Sequence, residues 1–221
     1  MPLNTNYIKQ NLLETEIAKF IEGKLQEPIK VLLLLSGGSN IDIETRIMRL
    51  IDTELTANLI IGLIDERFGP FNHSDSNFRL LIDSGFNPKK AKLIKVIENS
   101  NYDLTQTSDQ YNNSISKLFK ENLFSIGILG IGVDGHLAGI LPNSPIINSN
   151  KIVDSYDSND FQRISLTFKG LKLINQIFVV TQGQIKDKII KEISVNQKNN
   201  INEIPANILK KLNSIKIYNI N

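Results

Sequence analysis

Four short, nearly uninterrupted apolar runs constrain the fold of this chain most: Val31–Leu35, Leu59–Ile64, Ile126–Ile131 and Ile177–Thr181. Each is shorter than an ordinary helix and lacks period-two alternation. Both faces of such a run must be covered, as they are in a central parallel strand. The runs stop in residues that turn the chain or carry chemistry: Ser36-Gly37-Gly38-Ser39-Asn40, Asp65-Glu66-Arg67, Gly132-Val133-Asp134-Gly135-His136 and Gln182-Gly183-Gln184. In an open α/β sheet these segments share the carboxyl edge of the strands, where ligands bind.

The intervening segments carry helical spacing. Ile8, Leu12, Ile17, Phe20 and Ile21 predict an amphipathic helix within Tyr7–Leu25. Ile43, Ile47, Leu50 and Ile51 predict a second, with Ser39 or Asn40 as its N-cap. A short helix is expected over Asn77–Asp83 and a longer one over Asp109–Phe119, with Tyr111, Ile115 and Leu118 on one face. Gln184 should open a helix containing Lys186, Ile189 and Ile190, and Pro205 a last short one. Further strands are expected at Leu93–Ile97, Arg163–Thr167 and Ile215–Ile220, and a polar loop at Asn196–Asn202. Strands alternating with helices, without internal repeats, give a doubly wound, mainly parallel α/β sheet with helices on both faces. No boundary divides residues 1–221, and 221 residues suffice for one full-sized core.

Composition closes off several classes. Cysteine is absent, which removes disulfides, thiolate metal sites and thiol nucleophiles and is compatible with a cytoplasmic protein. Only His73 and His136 are present, so a histidine-rich zinc site is not expected. The 25 basic and 23 acidic residues nearly balance, which gives no case for nucleic-acid binding. No apolar run approaches the roughly 20 residues of a membrane-spanning helix, and no signal-peptide pattern opens the chain.

Gly130, Gly132 and Gly135 spell the G-x-G-x-x-G fingerprint after a strand, with Asp154 near the spacing of a ribose-binding acid. The fingerprint works only when a helix starts at the third glycine and meets a pyrophosphate with its N-terminus. Pro142 and Pro145 leave room for a short helical turn at most, so a dinucleotide is not expected. Ser36–Asn40 suits an anion better: paired glycines allow close backbone approach and a helix follows. The same residues also suit an ordinary tight turn. No Gly-Lys-Ser/Thr follows, so this is no P-loop, and no G-x-S-x-G elbow marks a serine hydrolase.

Histidine exchanges a proton readily near neutral pH, which makes His136 a candidate general base or acid; the alternative is a histidine that orders its turn. His73, beside Asp75, reads as solvated or loop-ordering. Asp65-Glu66-Arg67 alone reads as a salt-bridged corner. With Arg163 and Lys186, however, Arg67 makes three cations that this topology can bring to the glycine turn, as an anionic sugar substrate requires.

Together the segments SGGS at Ser36–Ser39, DERFGPFNHSDSN at Asp65–Asn77, GIGVDGHLAGILP at Gly130–Pro142, RISLTF at Arg163–Phe168 and GQIK at Gly183–Lys186 resemble the 6-phosphogluconolactonase family in order and spacing. The wider group also holds glucosamine-6-phosphate deaminases and has a Rossmann-like fold. The resemblance implies hydrolysis of 6-phosphoglucono-δ-lactone to 6-phosphogluconate in the oxidative pentose phosphate pathway. It implies a small sugar phosphate as the partner and no metal or organic cofactor. Residue by residue, it implies His136 as the catalytic histidine and Asp134 as its neighbouring acid. It places Asp65, Arg67, Arg163 and Lys186 around the substrate and its phosphate, and makes Gly37, Gly38 and Ser39 the phosphate-side turn. The family usually continues Asp-Gly-His with Thr-Ala-Ser, where this chain has Leu137, Ala138 and Gly139. Rival readings are a sugar-phosphate deaminase with Asp65 as proton-abstracting base, and a non-catalytic sugar-phosphate sensor.

Overall fold

The computed structural model describes residues 3–195, 200–212 and 214–220; residues 196–199 of the expected polar loop lie outside them. In chain order the elements begin β1 (Thr5–Ile8), α1 (Gln10–Leu25), β2 (Lys30–Leu35), α2 (Ile41–Leu50), β3 (Leu59–Leu63), β4 (Asp65–Phe68), α3 (Asn77–Asp83) and β5 (Lys92–Leu93). They continue α4 (Leu104–Leu118), β6 (Leu123–Leu129), β7 (Val153–Asp157), β8 (Gln162–Leu166), α5 (Phe168–Leu171), β9 (Gln176–Gln182), α6 (Gln184–Val195) and β10 (Ile215–Ile220).

Seven strands form one parallel sheet in the order β1-β10-β9-β6-β2-β3-β5. The apolar runs lie at its centre, and every residue from Val31 to Leu35 is 0% exposed. Full burial of a Leu or Ile side chain stabilises by about 1.5–3 kcal/mol, so these strands anchor the sheet. Strand alternation puts Val31 and Leu34 on opposite faces. On the Val31 face, Phe20 of α1 packs against Phe124 and Phe178, with ring centroids 6.2 and 5.2 Å apart. On the other, Tyr111 of α4 donates to the Leu63 carbonyl at 2.6 Å and accepts from the Leu63 N–H at 2.9 Å. The sheet is therefore covered by helices on both sides, as expected.

From β2 the chain runs outward through β3 to β5; from β6 it runs the other way through β9 to β10. Neighbouring β2 and β6 thus mark the topological switch point, and the segments that leave their carboxyl ends diverge to open a crevice.

Several expectations change. The helix expected over Tyr7–Leu25 loses its first turn: residues 5–8 pair in parallel with β10, Thr5 opposite Ile217 and Ile8 opposite Ile220, so α1 starts only at Gln10. Strand Leu93–Ile97 shrinks to Lys92–Leu93, because only Ile60 and Ile61 of β3 offer it partners. Helix α4 begins at Leu104 rather than Asp109: the Asp103 side chain accepts from the Gln106 N–H, and the Gln106 side chain accepts from the Asp103 N–H, a complete capping box. A second sheet, antiparallel and ordered β4-β8-β7, was not foreseen. Its β4 and β7 are too polar and short to read as strands. Ile64 joins the two sheets: its N–H donates to the Leu35 carbonyl at 2.8 Å and its carbonyl accepts from the Leu166 N–H at 2.8 Å.

Candidate functional site

The crevice at the switch point is a cavity of about 250 Å³ with walls from three places: the turn after β2, the turn after β6, and the small sheet. Lys186 from the start of α6 also reaches it.

After β2, Gly37 and Gly38 take positive φ values of 68° and 56°. A Cβ on Gly37 would lie 2.8 Å from Cγ of Asn77, so the turn packs as close to α3 as a backbone can. A buried acid fixes the turn from below. One carboxylate oxygen of Glu44 (α2) accepts from the Ser36 N–H at 2.8 Å and its hydroxyl at 3.0 Å. The other accepts from the Gly37 N–H at 3.2 Å. Burial pushes the Glu44 carboxyl up to about 7, although those hydrogen bonds pull it down. The N–H groups of Ser36 and Gly37 are therefore occupied within the protein. The cavity instead meets Ser39, whose Oγ accepts from Nζ of Lys186 at 3.1 Å. Lys186 is half-buried, which pushes its ammonium down, and it forms no ion pair among the described residues.

After β6 no helix begins at Gly135; among the described residues the next helical turn is Pro145–Asn148, in keeping with the proline argument. The chain folds back on itself instead. The Gly132 N–H donates to the His136 carbonyl and the Gly135 N–H to the Gly132 carbonyl, both at 3.0 Å. Oδ1 of Asp134 accepts from the His136 backbone N–H at 3.1 Å and lies 2.6 Å from its ring Nδ1. That bond places the ring proton on Nδ1 and leaves Nε2 as the basic nitrogen. The imidazole lies over Gly132, where a Cβ would approach the ring to 2.1 Å. Leu137 is 0% exposed, and a Cβ on Gly139 would lie 2.9 Å from Cβ of Ser165 and 3.0 Å from that of Asp65. Where the family pattern has hydroxyls, this chain puts an apolar anchor and a close backbone contact, with the Gly139 N–H donating to Oγ of Ser165 at 3.0 Å.

The small sheet supplies the third wall. Asp65 is buried and lines the cavity; burial pushes its carboxyl up to about 7, against the pull of Arg163 and Arg67. Glu66 points away. It accepts from the N–H groups of Asn77 and Phe78 at 2.6 and 3.0 Å and from the Ser76 hydroxyl at 3.0 Å, and so caps α3. Burial pushes the Glu66 carboxyl up as well. The salt-bridged corner expected of Asp65-Glu66-Arg67 is absent among the described residues: Nη1 of Arg67 donates to the Asp75 carbonyl at 3.3 Å. His73 orders this loop through Nε2, 2.9 Å from the Arg67 carbonyl. Arg163, directly opposite Arg67 in register, pairs through Nη2 with Asp160 at 2.7 Å.

Of the residues singled out from the sequence, Gly37, Gly38, Ser39, Asp65, Arg67, His136, Arg163 and Lys186 all line this one cavity, and Asp134 touches it through His136. Sequence reasoning missed Glu44, Asp160 and the cavity-lining Asn77, whose Oδ1 is buried without a partner among the described residues. Asn77 had a signal, the Asp-Ser-Asn trailing Asp-Glu-Arg; Glu44, an acid among the helical positions after the glycine turn, had none. No three His, Asp or Glu side chains among the described residues gather so as to hold a metal ion.

The family model described as glucosamine-6-phosphate isomerases/6-phosphogluconolactonase matches residues 9–217. The chain is 30% identical over 158 residues to a 6-phosphogluconolactonase of Borreliella burgdorferi, a match covering 67% of this chain and 66% of that protein. It is 26% identical over 164 residues to a human 6-phosphogluconolactonase, covering 70% of this chain and 62% of that one. Both matches thus span less than two thirds of the relative's length. The crystal structure of a 6-phosphogluconolactonase from Shewanella baltica superposes with a TM-score of 0.83 over 99% of this chain and 98% of its own, at 18% identity, and so shares the fold.

Proposed function

Because the chain belongs to the family of glucosamine-6-phosphate isomerases and 6-phosphogluconolactonases, we propose that it hydrolyses 6-phospho-D-glucono-1,5-lactone to 6-phosphogluconate, the lactone-opening step of the oxidative pentose phosphate pathway. One observation carries this reading. An imidazole held by a carboxylate at 2.6 Å faces a cavity that also holds a half-buried lysine without an acidic partner among the described residues. The first suits proton transfer at an ester, and the second suits a distant phosphate.

The chemistry follows from that placement. Nε2 of neutral His136 accepts a proton as water attacks the lactone carbonyl, and Asp134 stabilises the imidazolium that results. As the bond from the carbonyl carbon to the ring oxygen breaks, His136 returns the proton to that oxygen. Such a base contributes about 10²–10⁴-fold. The Gly37 and Gly135 N–H groups, natural choices for an oxyanion, already serve Glu44 and the Gly132 carbonyl. Negative charge on the carbonyl oxygen is therefore met by the cavity's two guanidiniums, Arg67 and Arg163. Lys186, Ser39 and Gly38 bind the phosphate, and that remote binding energy holds the carbonyl against the base.

A second reading has its own observation. Asp65 is buried, lines the cavity and has its carboxyl pushed up to about 7, as suits a base abstracting a proton from a sugar carbon in a deaminase. The two separate cleanly. Freshly prepared 6-phosphogluconolactone should yield acid faster than its spontaneous opening, and glucosamine 6-phosphate should yield no ammonia. Ammonia without catalysed acid release would reverse the assignment.

A further inference from the structure

Arg67 and Arg163 present the structure with an electrostatic problem. They stand directly opposite in the antiparallel pair of β4 and β8, where like charges repel. Asp160 neutralises only one of them: its Oδ2 lies 2.7 Å from Nη2 of Arg163, and Oγ of Ser158 accepts from Nε of the same guanidinium at 3.0 Å. Arg67 has far less. Its Nη1 reaches the Asp75 carbonyl at 3.3 Å, and its Nε is buried without a hydrogen-bond partner among the described residues.

The aromatic ring at the tip of the β7–β8 hairpin meets both cations. The guanidinium carbon of Arg67 lies 4.9 Å from the Phe161 ring centroid, and that of Arg163 lies 5.5 Å from it. The tip is built to hold the ring still. The Ser158 N–H donates to the Phe161 carbonyl at 2.9 Å, and the Phe161 N–H donates to Oδ1 of Asp160 at 2.9 Å. Phe161 itself does not line the cavity; its ring touches the two arginines that do.

We propose that Phe161 is a positioning residue of the anion cavity: its ring holds the guanidiniums of Arg67 and Arg163 side by side and aimed at the substrate. Asp160 fastens one guanidinium, and the ring fastens the other. The aromatic face attracts both cations without neutralising either, so it adds no negative charge to a cavity that already holds Asp65. This rests on reading the cavity as a sugar-phosphate site.

The test compares Phe161→Leu, which keeps an apolar side chain without a π face, with Phe161→Tyr, which keeps the face. Calorimetric affinity for 6-phosphogluconate should fall roughly three- to tenfold in the leucine variant and return in the tyrosine variant. kcat/KM for the lactone should fall at least in step, because the same guanidiniums meet the charge that develops on the carbonyl oxygen. In ¹⁵N spectra of arginine side chains, the Arg67 Nε–H signal should lose its dispersion in Phe161→Leu and keep it in Phe161→Tyr. Phe161→Met serves in place of the leucine variant if that one fails to fold. Unchanged affinity with an unmoved Arg67 signal in Phe161→Leu would overturn the proposal, as would a tyrosine variant as impaired as the leucine one. If the wild-type protein binds no 6-phosphogluconate, the lactonase reading falls, and the Arg67 signal alone still decides the role of Phe161.

Discussion

The turns after β2 and β6 stand side by side at the switch point, and each is organised by one carboxylate. The difference lies in what the carboxylate holds. Glu44 is 0% exposed and spends its oxygens on the backbone and hydroxyl of Ser36 and the backbone of Gly37. Asp134 has a side chain 46% exposed and directs one oxygen to both the backbone and the ring of His136. A buried acid that accepts from main chain fixes a shape; an exposed acid that accepts from an imidazole fixes a tautomer. The first turn is thereby made into a cradle and the second into a tool, with the same residue class used twice.

If that division is right, the largest effect comes from the second turn. His136→Asn keeps a planar polar group and should fold normally, yet kcat should fall about 10²-fold or more once spontaneous hydrolysis is subtracted. Affinity for 6-phosphogluconate should change little. A folded variant with near-normal turnover would return His136 to the role of ordering its own turn and move suspicion to Asp65.

The next effect belongs to the first turn and is read in stability. Burial raises the Glu44 carboxyl from an ordinary 4.5 to about 7 and that of Asp65 from 3.8 to about 7. Between those values the unfolded chain has released both protons while the folded protein still holds them. Unfolding then binds fewer protons than the native state does, so stability falls as pH rises from about 4 to 7 and levels above that. The negative charge of Asp65 adds a small further push to the Glu44 carboxyl. Removing the Glu44 share, about 3 kcal/mol at 1.36 kcal/mol per unit, should flatten that slope in Glu44→Gln. Denaturant titrations at pH 5 and 7 measure it; an identical slope in wild type and variant would remove Glu44 as its source.

Lys186→Ala tests the cradle's binding role. Loss of one charge-assisted contact costs about 1.5–3 kcal/mol of affinity, seen as a raised KM with kcat nearly kept, the reverse of His136→Asn. A fall confined to kcat would put Lys186 with the chemistry instead.

How much of this was legible beforehand follows from what periodicity can carry. The four apolar runs announced the sheet because burial on both faces leaves few places for a polar residue in a strand. The glycine turns and His136 announced the cavity because topology brings all strand ends of one sense to one edge. Strand β4 carried no such signal: Asp65-Glu66-Arg67-Phe68 is a polar segment that pairs only because residues 162–165, almost a hundred positions away, lie beside it. Glu44 was hidden for a related reason. An acid at a helical position reads as solvated until tertiary structure shows that the helix start is tucked beneath a turn. Long-range pairing and buried polar contacts were the parts that local pattern could not supply.

The smallest effect distinguishes two adjacent glycines within the first turn. Both have positive φ, so an added Cβ is strained at either: by about 1 kcal/mol at Gly38, and by more at Gly37, whose ψ of −152° puts it in a region open essentially to glycine alone. At Gly38 that strain is the whole local penalty, since a Cβ there meets nothing within 4 Å. At Gly37 the added carbon lies 2.8 Å from Cγ of Asn77, whose amide nitrogen donates to the Asp65 carbonyl at 3.1 Å. The amide cannot retreat without releasing that bond and shifting the cavity floor. Gly38→Ala should therefore lower unfolding stability by about 1 kcal/mol, and Gly37→Ala by about 1–3 kcal/mol more, the range for insertion into a packed site. Equal losses in the two variants, measured by chemical denaturation, would mean that Asn77 yields freely. The cradle would then be held by Glu44 alone rather than clamped between α2 and α3.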